Sequence, residues 1–418
     1  MKGKVVIFVV LIALLVSLTV LADTSTTGLT GPQGPIPSWD TVVQMAKQEG
    51  SVSWYAYGAE YDKLYFDSLI PKFEKQYGIK VNFIFGDWYA FLQKLLAEQK
   101  AGQTVGDMDL VFTWSIPFND AWNSGVVWKY PWSYVIPNAR NIVDPYLLQY
   151  TDMIPTNGAF VPFIWWQVAF LYNKQMVKNP PQSWDDLMAW VKANPGKFTY
   201  CDPNAGGSGH TFLITLSEWL YGYDNYYDSM GLPYNKALGS ELWNTVGPKG
   251  YSLWGYLKEL QKYMYQPGFY PAGNSAAISL FSKGVVWLEP QWLDVTASWV
   301  KQGLLDPNIV GLYIPKPTMD AGGMDGLFIP YNAPHKYAAM VLANYLLSNE
   351  VQTGIVLDRG GAFPVVTGVM DKPDVIKAMQ TQPYWVPFNS ITNPLWLRSG
   401  LYMDELMKDW TQIIAKSQ

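Results

Sequence analysis

The sequence has little cysteine and little histidine. Its 418 residues include one cysteine, Cys201, and two histidines, His210 and His335. A single cysteine cannot form a disulfide within the chain. A structural zinc site needs about four ligands, mostly from cysteine and histidine, so we expect neither a metal site nor a bound cofactor. We interpret Cys201 as a small buried residue rather than a reactive thiol.

The sequence also lacks an excess of positive charge. Its formal net charge is −5 at pH 7. Proteins that bind nucleic acid neutralise phosphates with clustered Lys and Arg, so we expect no nucleic-acid partner, and the charge does not favour an anionic membrane surface either. The chain has no Gly-x-x-x-x-Gly-Lys-Ser/Thr segment, so no phosphate-binding loop for ATP is expected.

Aromatic residues are abundant, with 20 Trp, 28 Tyr and 18 Phe. Most individual rings are interpreted as core or packed surface. The excess also suits a binding cleft, because rings provide a large contact area with little rotamer freedom to lose. The length suggests two or three domains or one large folded unit.

The amino-terminal segment predicts export. Lys2 and Lys4 precede the mostly apolar run Val5–Ala22, and this order is typical of a secretory signal. The run is also close to the length that spans a bilayer. Residues 1–22 are therefore interpreted as a signal peptide or an N-terminal anchor, and residues 23–38 as a flexible tether. Both alternatives place the rest of the chain outside the cytoplasm, in the periplasm or at the cell surface.

Beyond the tether, strand-like and helix-like segments alternate. Short apolar runs are followed by segments with apolar residues at helical spacing, and glycines mark several ends. This rhythm predicts a mostly parallel sheet with right-handed crossovers. The predicted strands are 51–57, 80–85, 109–113, 160–172, 197–200, 285–288 and 326–329; the predicted helices include 61–77, 89–100, one opened by Ser183, one beginning near His210, and 336–347.

Residues at the ends of the predicted strands are candidate ligand contacts. Ligands of open parallel sheets bind beyond the carboxyl ends of the strands. Tyr57 and Gly58 follow the first strand, and Trp114 and Ser115 follow the strand 109–113. The same rule selects Gly86–Trp88. These choices depend on strand geometry alone.

A glycine-rich loop is a further candidate. Gly207, Ser208 and Gly209 precede a helix that is predicted to begin near His210. Backbone N–H groups at a helix start can bind an anion, so the loop could hold a carboxylate, phosphate or sulfate. The alternative is an ordinary glycine-rich loop with a serine cap, and such a loop is a weak signal by itself.

The segment Pro162–Asn179, PFIWWQVAFLYNKQMVKN, resembles the signature of family 1 extracellular solute-binding proteins, the maltose-binding-protein class. Ile164 departs from that signature, which has a small residue at this position. The matching positions are Pro162, Phe163, Ala169, Phe170, Leu171, Tyr172, Asn173, Val177 and Asn179.

Other segments resemble elements of the same family, in the family's order. Each match is weak alone, but together they cover nearly the whole chain after the tether. They are Glu49–Ser51, Phe73–Val81, Asp109–Phe112, Asn179–Leu187, Gly284–Trp292, Lys336–Gln352 and Gly360–Pro364.

The resemblance implies an α/β, two-lobed type II periplasmic-binding-protein fold with a hinge of crossing strands. Lobe 1 is expected over 39–164 and 327–365, and lobe 2 over 165–326 and 366–418. The family closes its lobes over a small solute by a hinge motion. The implied partners are a membrane permease of an ABC importer and its cytoplasmic ATPase. We expect a monomer.

The resemblance also implies particular site residues. Trp166 matches a ligand-contact position on a crossing strand, and Trp292 matches the family's cleft tryptophan. Glu289 and Asp325 could each pair with a cationic nitrogen, as happens in polyamine and thiamine binders of the family, with cation–π attraction from the rings. Alternatively, each is a loop carboxylate bonded to nearby backbone.

The identity of the ligand stays open at this point. Aromatic rings with Glu289 favour a polyamine or a cationic heteroaromatic, whereas rings alone also fit a sugar. The glycine-rich loop favours an anionic group. The stretch Trp190–Phe212 resembles a poorly characterised subfamily near thiamine, polyamine and iron binders.

Two other classes of protein are weighed against a receptor. An exported carbohydrate-active hydrolase needs a positioned pair of carboxylates, and nothing in the sequence marks one. A serine hydrolase would need a histidine base, and Gly206–His210 is not a complete Gly-x-Ser-x-Gly elbow. We therefore expect no enzyme and no catalytic residues. The anchor and tether would also permit a surface adhesion protein.

Overall fold

The structure is a computed structural model. It describes residues 30–31, 34–35, 37–152, 154–222, 236–319, 321–386 and 400–416. The predicted leader, residues 1–22, and most of the predicted tether lie outside these ranges and stay predictions. Within the described ranges, no helix combines the length and the apolar character needed to cross a membrane.

The helices begin and end where local sequence signals place them. Ser38, Asp87 and Ser183 are N-caps whose side chains accept backbone N–H groups of the first turn. Gly50 and Gly78 end helices in the left-handed conformation. The helices are α1 (Trp39–Glu49), α2 (Glu60–Tyr77), α3 (Trp88–Lys100), α4 (Ser115–Asn123), α5 (Trp184–Ala193), α6 (Gly207–Tyr221), α7 (Lys236–Asn244), α8 (Leu253–Gln261), α9 (Asn274–Ser282), α10 (Leu293–Lys301), α11 (Lys336–Leu346), α12 (Asn349–Gly354), α13 (Pro373–Thr381) and α14 (Gly400–Trp410).

The strands form one large sheet and two short pairs in the described part of the chain. Single turns of 3-10 helix follow α4, and π-helical turns follow α12 and α14. The strands are β1 (Thr30–Gly31), β2 (Gly34–Pro35), β3 (Ser51–Ala56), β4 (Lys80–Phe85), β5 (Leu110–Thr113), β6 (Tyr150–Thr151), β7 (Ile154–Pro155), β8 (Phe160–Asn173), β9 (Leu288–Trp292), β10 (Val310–Tyr313) and β11 (Ala321–Phe328).

The large sheet has seven strands in the order β10-β8-β11-β5-β3-β4, and β9 also pairs with β8. Strand β3 pairs in parallel with β4 and β5, which confirms the predicted β-α-β rhythm for the first part of the chain. The carboxyl ends of β3 and β5 therefore lie side by side, and the residues that follow them reach the same edge of the sheet.

The prediction of a mostly parallel sheet is wrong for the rest of the molecule. Strand β11 pairs antiparallel with both β5 and β8, and β8 pairs antiparallel with β9 and β10. The reason is the length of β8, whose 14 residues pass through both halves of the sheet. Its first half pairs with β11, and its second half pairs with β9 and β10, so a single strand joins two packed halves.

Two predicted strands also need correction. Residues 197–200 make only a single bridge, between Phe198 and Leu288. The strand predicted at 285–288 instead runs from Leu288 to Trp292. Pro290, which has no N–H to donate, lies within β9 and is paired with Phe170 of β8.

Apolar side chains cover both faces of the sheet. Successive residues of a strand point to opposite faces, and in β5 Phe112 joins one apolar cluster while Val111 joins another. A third cluster packs on the second half of β8 and includes Phe170 with Trp184. Helix α14 packs in this third cluster, whereas Val375 of α13 packs in the first. The lobe boundaries given above stay a prediction.

Candidate ligand-binding site

A cavity of about 330 Å³ lies at the carboxyl ends of β3 and β5, between the two halves of the sheet. Its size falls within the range of about 300–1,000 Å³ that is usual for small-molecule sites. It is lined by Tyr57, Gly58, Tyr61, Asp62, Phe112, Trp114, Ser115, Asp152, Trp166, Gly207, His210, Asn274, Trp292, Asp294, Val295, Gly323, Asp325 and Met403.

One wall of the cavity is aromatic. The Tyr57 ring stacks on Phe112, with ring centres 5.4 Å apart, and contacts Trp114 at 4.8 Å. Trp166 lines the cavity from β8, whereas its neighbour Trp165 is buried and packs on Phe363. The two tryptophans point to opposite faces because side chains alternate along a strand.

The opposite wall carries Trp292, whose indole packs against the first turn of α6. A Cβ atom added to Gly207 would lie 2.6 Å from the indole Cζ2. Glycine at this position therefore permits the ring to approach the helix backbone. The sequence analysis selected Trp292 as a cleft residue from the family resemblance alone. The structure shows in addition that the Trp292 indole packs against Gly207.

Asp325 lies at the base of the cavity and is bonded to side chains rather than to nearby backbone. The Tyr57 hydroxyl donates a short hydrogen bond to Asp325 Oδ2, and the Trp166 indole is a second donor. Burial raises the pKa of Asp325 to about 7, and these two donors oppose the shift. No Lys or Arg side chain pairs with this carboxyl among the salt bridges of the described residues.

A second carboxyl, Asp152, comes from the turn between β6 and β7. Thr151 pairs with Ile154, and Asp152 directly follows Thr151 where the chain leaves β6. Asp152 has φ 48°, which is the left-handed region that such turns require and that Asp tolerates. Burial raises its pKa to about 7, the nearby Ser115 hydroxyl lowers it, and Asp325 raises it further.

The remaining two carboxyls, Asp62 and Asp294, share one guanidinium group. Arg359 Nη2 lies 2.6 Å from Asp62 Oδ1 and 3.2 Å from Asp294 Oδ2. The Tyr61 hydroxyl also donates to Asp294 Oδ2, at 3.0 Å. Arg359 is fully buried behind these two carboxylates, and its guanidinium carbon lies 4.4 Å from the ring centre of Trp166.

The prediction of a glycine-rich loop before the helix is wrong, because Gly207, Ser208 and Gly209 form the first turn of α6. This turn is largely bonded within the protein. Asn274 Oδ1 accepts from both the Ser208 backbone N–H, at 3.2 Å, and the Ser208 hydroxyl, at 2.9 Å. Gly209 lies against the Cys201 carbonyl, because a Cβ added there would be 2.3 Å from that oxygen. Of the three loop candidates, only Gly207 lines the cavity.

Glu289 is buried outside the cavity lining. It lies on β9 two residues before Gln291, whose amide donates to Glu289 Oε1 at 3.3 Å. Its other carboxyl oxygen has no hydrogen-bond partner among the described protein atoms. Burial raises the pKa of Glu289 to about 8, so this carboxyl is largely neutral at pH 7.

A sequence model of bacterial extracellular solute-binding proteins matches residues 68–383. The chain belongs to this family. Its members are receptors that bind a solute outside the cytoplasm for an ABC importer, and the function expected from the sequence is confirmed at this level. The fold is the expected two-lobed type II periplasmic-binding-protein fold.

Curated relatives and solved structures resemble the receptor along most of its length. Escherichia coli K12 protein YnjB is 25% identical over 327 residues, which are 75% of this chain and 78% of YnjB. A Salmonella typhimurium protein, named as a candidate 2-aminoethylphosphonate-binding periplasmic protein, is 23% identical over 82% of this chain and 84% of its own. The solved structure of an ABC transporter protein from Clostridium perfringens has a TM-score of 0.63 at 15% identity, and covers 87% of this chain and 99% of its own.

Most of the residues selected from the receptor's sequence meet at the cavity. The candidates that line it are Tyr57, Gly58, Trp114, Ser115, Trp166, Gly207, Trp292 and Asp325. Ser208, Gly209 and Glu289 lie behind its wall, because Asn274, the Cys201 loop and Gln291 occupy the space around them. A role of any of these residues in binding stays a prediction.

Sequence reasoning missed six polar lining residues of the receptor: Tyr61, Asp62, Asp152, His210, Asn274 and Asp294. Asp62 could have been found, because the helix after β3 begins at the edge where Tyr57 lies. Asp294 follows Trp292 by two residues and could have been found with it. Asp152 gave no signal, since it lies after a short strand, β6, that the sequence analysis did not predict.

The receptor's histidines do not form a hydrolase triad. His210 hydrogen-bonds the Pro203 carbonyl, and burial lowers its pKa to about 4. The Ser208 hydroxyl donates to Asn274 rather than to a histidine. His335 Nδ1 lies 2.9 Å from Asp109 Oδ2, at the amino end of β5 and away from the cavity. The described residues also contain no group of three His, Cys, Asp or Glu placed to hold a metal ion.

Proposed function

We propose that this receptor binds a small organic cation, held by Asp152 and Asp325 and enclosed by aromatic rings. The observation that carries the proposal is that two buried carboxyls line the cavity and have no cationic partner among the salt bridges of the described residues. Buried carboxylates cost free energy unless they are paired. A protonated amine or a cationic ring would supply the missing partner.

The charge around the cavity supports this class of ligand. Four Asp carboxyls line the wall, and Arg359 is bonded to two of them. Burial raises the pKa values of Asp152 and Asp325, and no Lys or Arg of the described residues forms a salt bridge with either carboxyl. A ligand cation would favour their ionised forms, and the gain would be large in a site from which water is excluded.

The aromatic wall supports a cation as well. Tyr57, Trp114, Trp166 and Trp292 border the same space as the two carboxyls. The faces of such rings attract cations, with about 0.5–2 kcal/mol per contact depending on desolvation. A flat heteroaromatic cation, such as thiamine, or a short amine would both satisfy this arrangement.

An anion has less support at the start of α6. The Ser208 N–H and hydroxyl are both bonded to Asn274, so they are not available to a ligand without rearrangement. The relative named for 2-aminoethylphosphonate suggests a ligand with an amine as well as an anionic group. We place the amine of such a ligand at Asp152 and Asp325.

The wider function follows from the family. The ligand contacts rims from both lobes, and the closed form is stabilised by contacts that the open form lacks. The closed receptor then delivers the solute to a permease driven by a cytoplasmic ATPase. We propose that the chain acts as a monomer, is exported by residues 1–22 as a signal peptide or held by them as an anchor, and performs no catalysis.

Calorimetry at pH 8 tests the proposal. The ligands are thiamine, putrescine and 2-aminoethylphosphonate, with maltose as the neutral and fructose 6-phosphate as the anionic control. We expect at least one amine or heteroaromatic cation to bind at micromolar Kd or better. Tightest binding by maltose or fructose 6-phosphate would show the cation assignment to be wrong.

The Asp152→Asn variant tests whether the Asp152 carboxylate binds the cation. Asparagine tolerates the left-handed conformation of the turn, so the hairpin is retained while the charge is lost. We expect a loss of at least tenfold in affinity for the cation. Asp40→Asn, which removes an exposed charge from α1, is the matched control and should leave affinity unchanged.

A further inference from the structure

Arg359 divides the carboxyls of the cavity into two pairs. It bonds Asp62 through Nε at 2.8 Å and Nη2 at 2.6 Å, and reaches Asp294 at 3.2 Å. Asp152 and Asp325 have no such partner among the salt bridges of the described residues. The guanidinium therefore compensates one pair and leaves the other for the ligand.

The position of Arg359 is fixed from several directions. Its side chain is fully buried, and its Nη1 donates to the Gly360 carbonyl at 2.9 Å. Its planar face lies 4.4 Å from the ring centre of Trp166 and 4.9 Å from that of Tyr61. The planar fork of arginine suits this combination of bonding and stacking, which the point charge of lysine does not reproduce.

Asp62 and Asp294 line the cavity, whereas Arg359 lies behind them. The carboxylates thus face a ligand directly, and the guanidinium cancels part of their charge from the rear. The three groups together carry one negative charge when both carboxyls are ionised. Without Arg359 they would carry two, on a wall that a ligand touches.

We infer that Arg359 is a specificity-determining residue that acts as an internal counterion, so that the receptor selects organic cations with one positive centre over dications. This inference rests on the proposed function, in which Asp152 and Asp325 bind the cationic centre. A second ammonium group in the ligand would find Asp62 and Asp294 already paired. Removal of Arg359 would leave Asp62 and Asp294 free to bind a second ammonium group.

Binding of two matched amines to purified Arg359→Met tests this inference. The probes are n-butylamine and putrescine, which differ by one ammonium group, and calorimetry is run at pH 8. In Arg359→Met we expect putrescine to bind at least tenfold more tightly than it binds the unaltered receptor. We expect the preference for putrescine over n-butylamine to rise by a similar factor.

Three further variants serve as controls. Lys301→Met removes a nearby cation that bonds only the backbone carbonyls of Asp358 and Arg359, so it should not change the preference. Arg359→Lys keeps the charge and should keep the preference for the monocation. Arg359→Met with Asp294→Asn restores a single negative charge on the wall and should return the preference to its original value.

A folded Arg359→Met variant that binds putrescine no better than Lys301→Met does would overturn the inference. If Arg359→Met does not fold, the Asp294→Asn variant tests the inference instead. This substitution removes one negative charge from the same group of side chains, so both amines should bind at least fivefold more weakly. Unchanged binding of both amines would overturn the inference. An unaltered receptor that binds no cation while Arg359→Met gains putrescine would refute only the proposed function. If the unaltered receptor binds a cation and Arg359→Met has the same preference for putrescine over n-butylamine, only the role of Arg359 would be refuted.

Discussion

The position of the Trp292 side chain depends on the absence of a side chain at Gly207. The indole packs where a Cβ on Gly207 would stand 2.6 Å from it. The ring is partly exposed and borders the cavity. A role of this ring in ligand binding can therefore be tested separately from its contribution to the core.

At this scale we predict that Trp292→Ala weakens ligand binding by more than tenfold without unfolding the protein. The ring supplies contact area and, for a cation, an attractive face. Calorimetry with the best cationic ligand, together with circular dichroism, checks the prediction. The control variant Trp190→Ala removes a partly exposed ring outside the cavity lining and should leave the ligand affinity unchanged. If Trp292→Ala also leaves the affinity unchanged, the Trp292 ring is not part of the binding site.

Asp325 gives a second prediction, in which stability and binding change in opposite directions. Burial raises its pKa to about 7, so its ionised form destabilises the empty cavity above pH 7. Asp325→Asn removes that charge and keeps an acceptor for the Tyr57 hydroxyl. At pH 8 we expect the free energy of unfolding to increase by about 1–3 kcal/mol and cation affinity to fall at least tenfold.

Thermal unfolding and calorimetry at pH 8 measure the two effects of Asp325→Asn separately. The opposite signs distinguish a binding role from a purely structural one, because loss of a structural contact would lower stability. A variant that is less stable and still binds the cation would contradict both expectations.

At the scale of the element, the start of α6 contains two glycines with different neighbours. Gly207 faces the Trp292 indole, whereas Gly209 faces the Cys201 carbonyl. A side chain can yield by rotation, but the backbone of a packed loop cannot move at small cost. The same substitution should therefore act differently at the two positions.

We predict that Gly207→Ala lowers ligand affinity at least fivefold, with unfolding free energy changed by less than about 1 kcal/mol. The added methyl displaces the indole into the cavity, while alanine favours the helix. Gly209→Ala should instead destabilise the protein by about 2 kcal/mol or more, since overpacking against fixed atoms is costly. Denaturant unfolding and calorimetry compare the pair, and equal effects at both positions would contradict the prediction.

Strand β8 is the element that shapes the site as a whole. Its first half pairs with β11, and its second half pairs with β9 and β10. Trp166 lies near the change of partners, close to the carboxyl end of β9 and the start of α10. One strand therefore places a ring of the cavity, and its antiparallel partners place Asp325 and Trp292 around that ring.

At the scale of the whole molecule, pH should affect stability and binding in opposite directions. Asp152 and Asp325 have pKa values near 7 and Glu289 has one near 8, all raised by burial. In the unfolded chain these carboxyls lose their protons well below pH 6. Their protons stabilise the native state at low pH, and this stability is lost as pH rises through 7 and 8.

We therefore predict that the unfolding free energy of the ligand-free protein falls between pH 6.5 and 8.5. The slope is up to about 1.4 kcal/mol per pH unit for each titrating carboxyl. Over the same range, cation affinity should rise, because the ligand binds the ionised carboxyls. His210, with a pKa lowered to about 4, changes stability mainly below pH 6.5 and does not oppose this trend.

Chemical denaturation and calorimetry across that pH range measure both trends. The Asp325→Asn variant should show a smaller loss of stability on raising the pH. Affinity that is constant from pH 6.5 to 8.5 would mean that neither Asp152 nor Asp325 contacts the ligand cation.

The sequence by itself determined the local features. Ser183 marked a helix start, and Gly50 and Gly78 marked helix ends, because caps and turns satisfy backbone groups within a few residues. The ends of β3 and β5 selected Tyr57 and Trp114, since parallel strands bring their carboxyl ends to one edge.

Only the tertiary structure decided which distant groups meet. Arg359 bonds Asp62 across 297 residues of sequence and Asp294 across 65, and no local pattern encodes either pairing. The antiparallel pairing of β8 and the burial of Glu289 behind Gln291 likewise depend on partners far along the chain. The periodicity of the sequence shows which face of a helix or strand is apolar. The groups that this face contacts are determined by the packing of whole elements against each other. That packing decides which carboxyls are paired within the protein and which are left for a ligand.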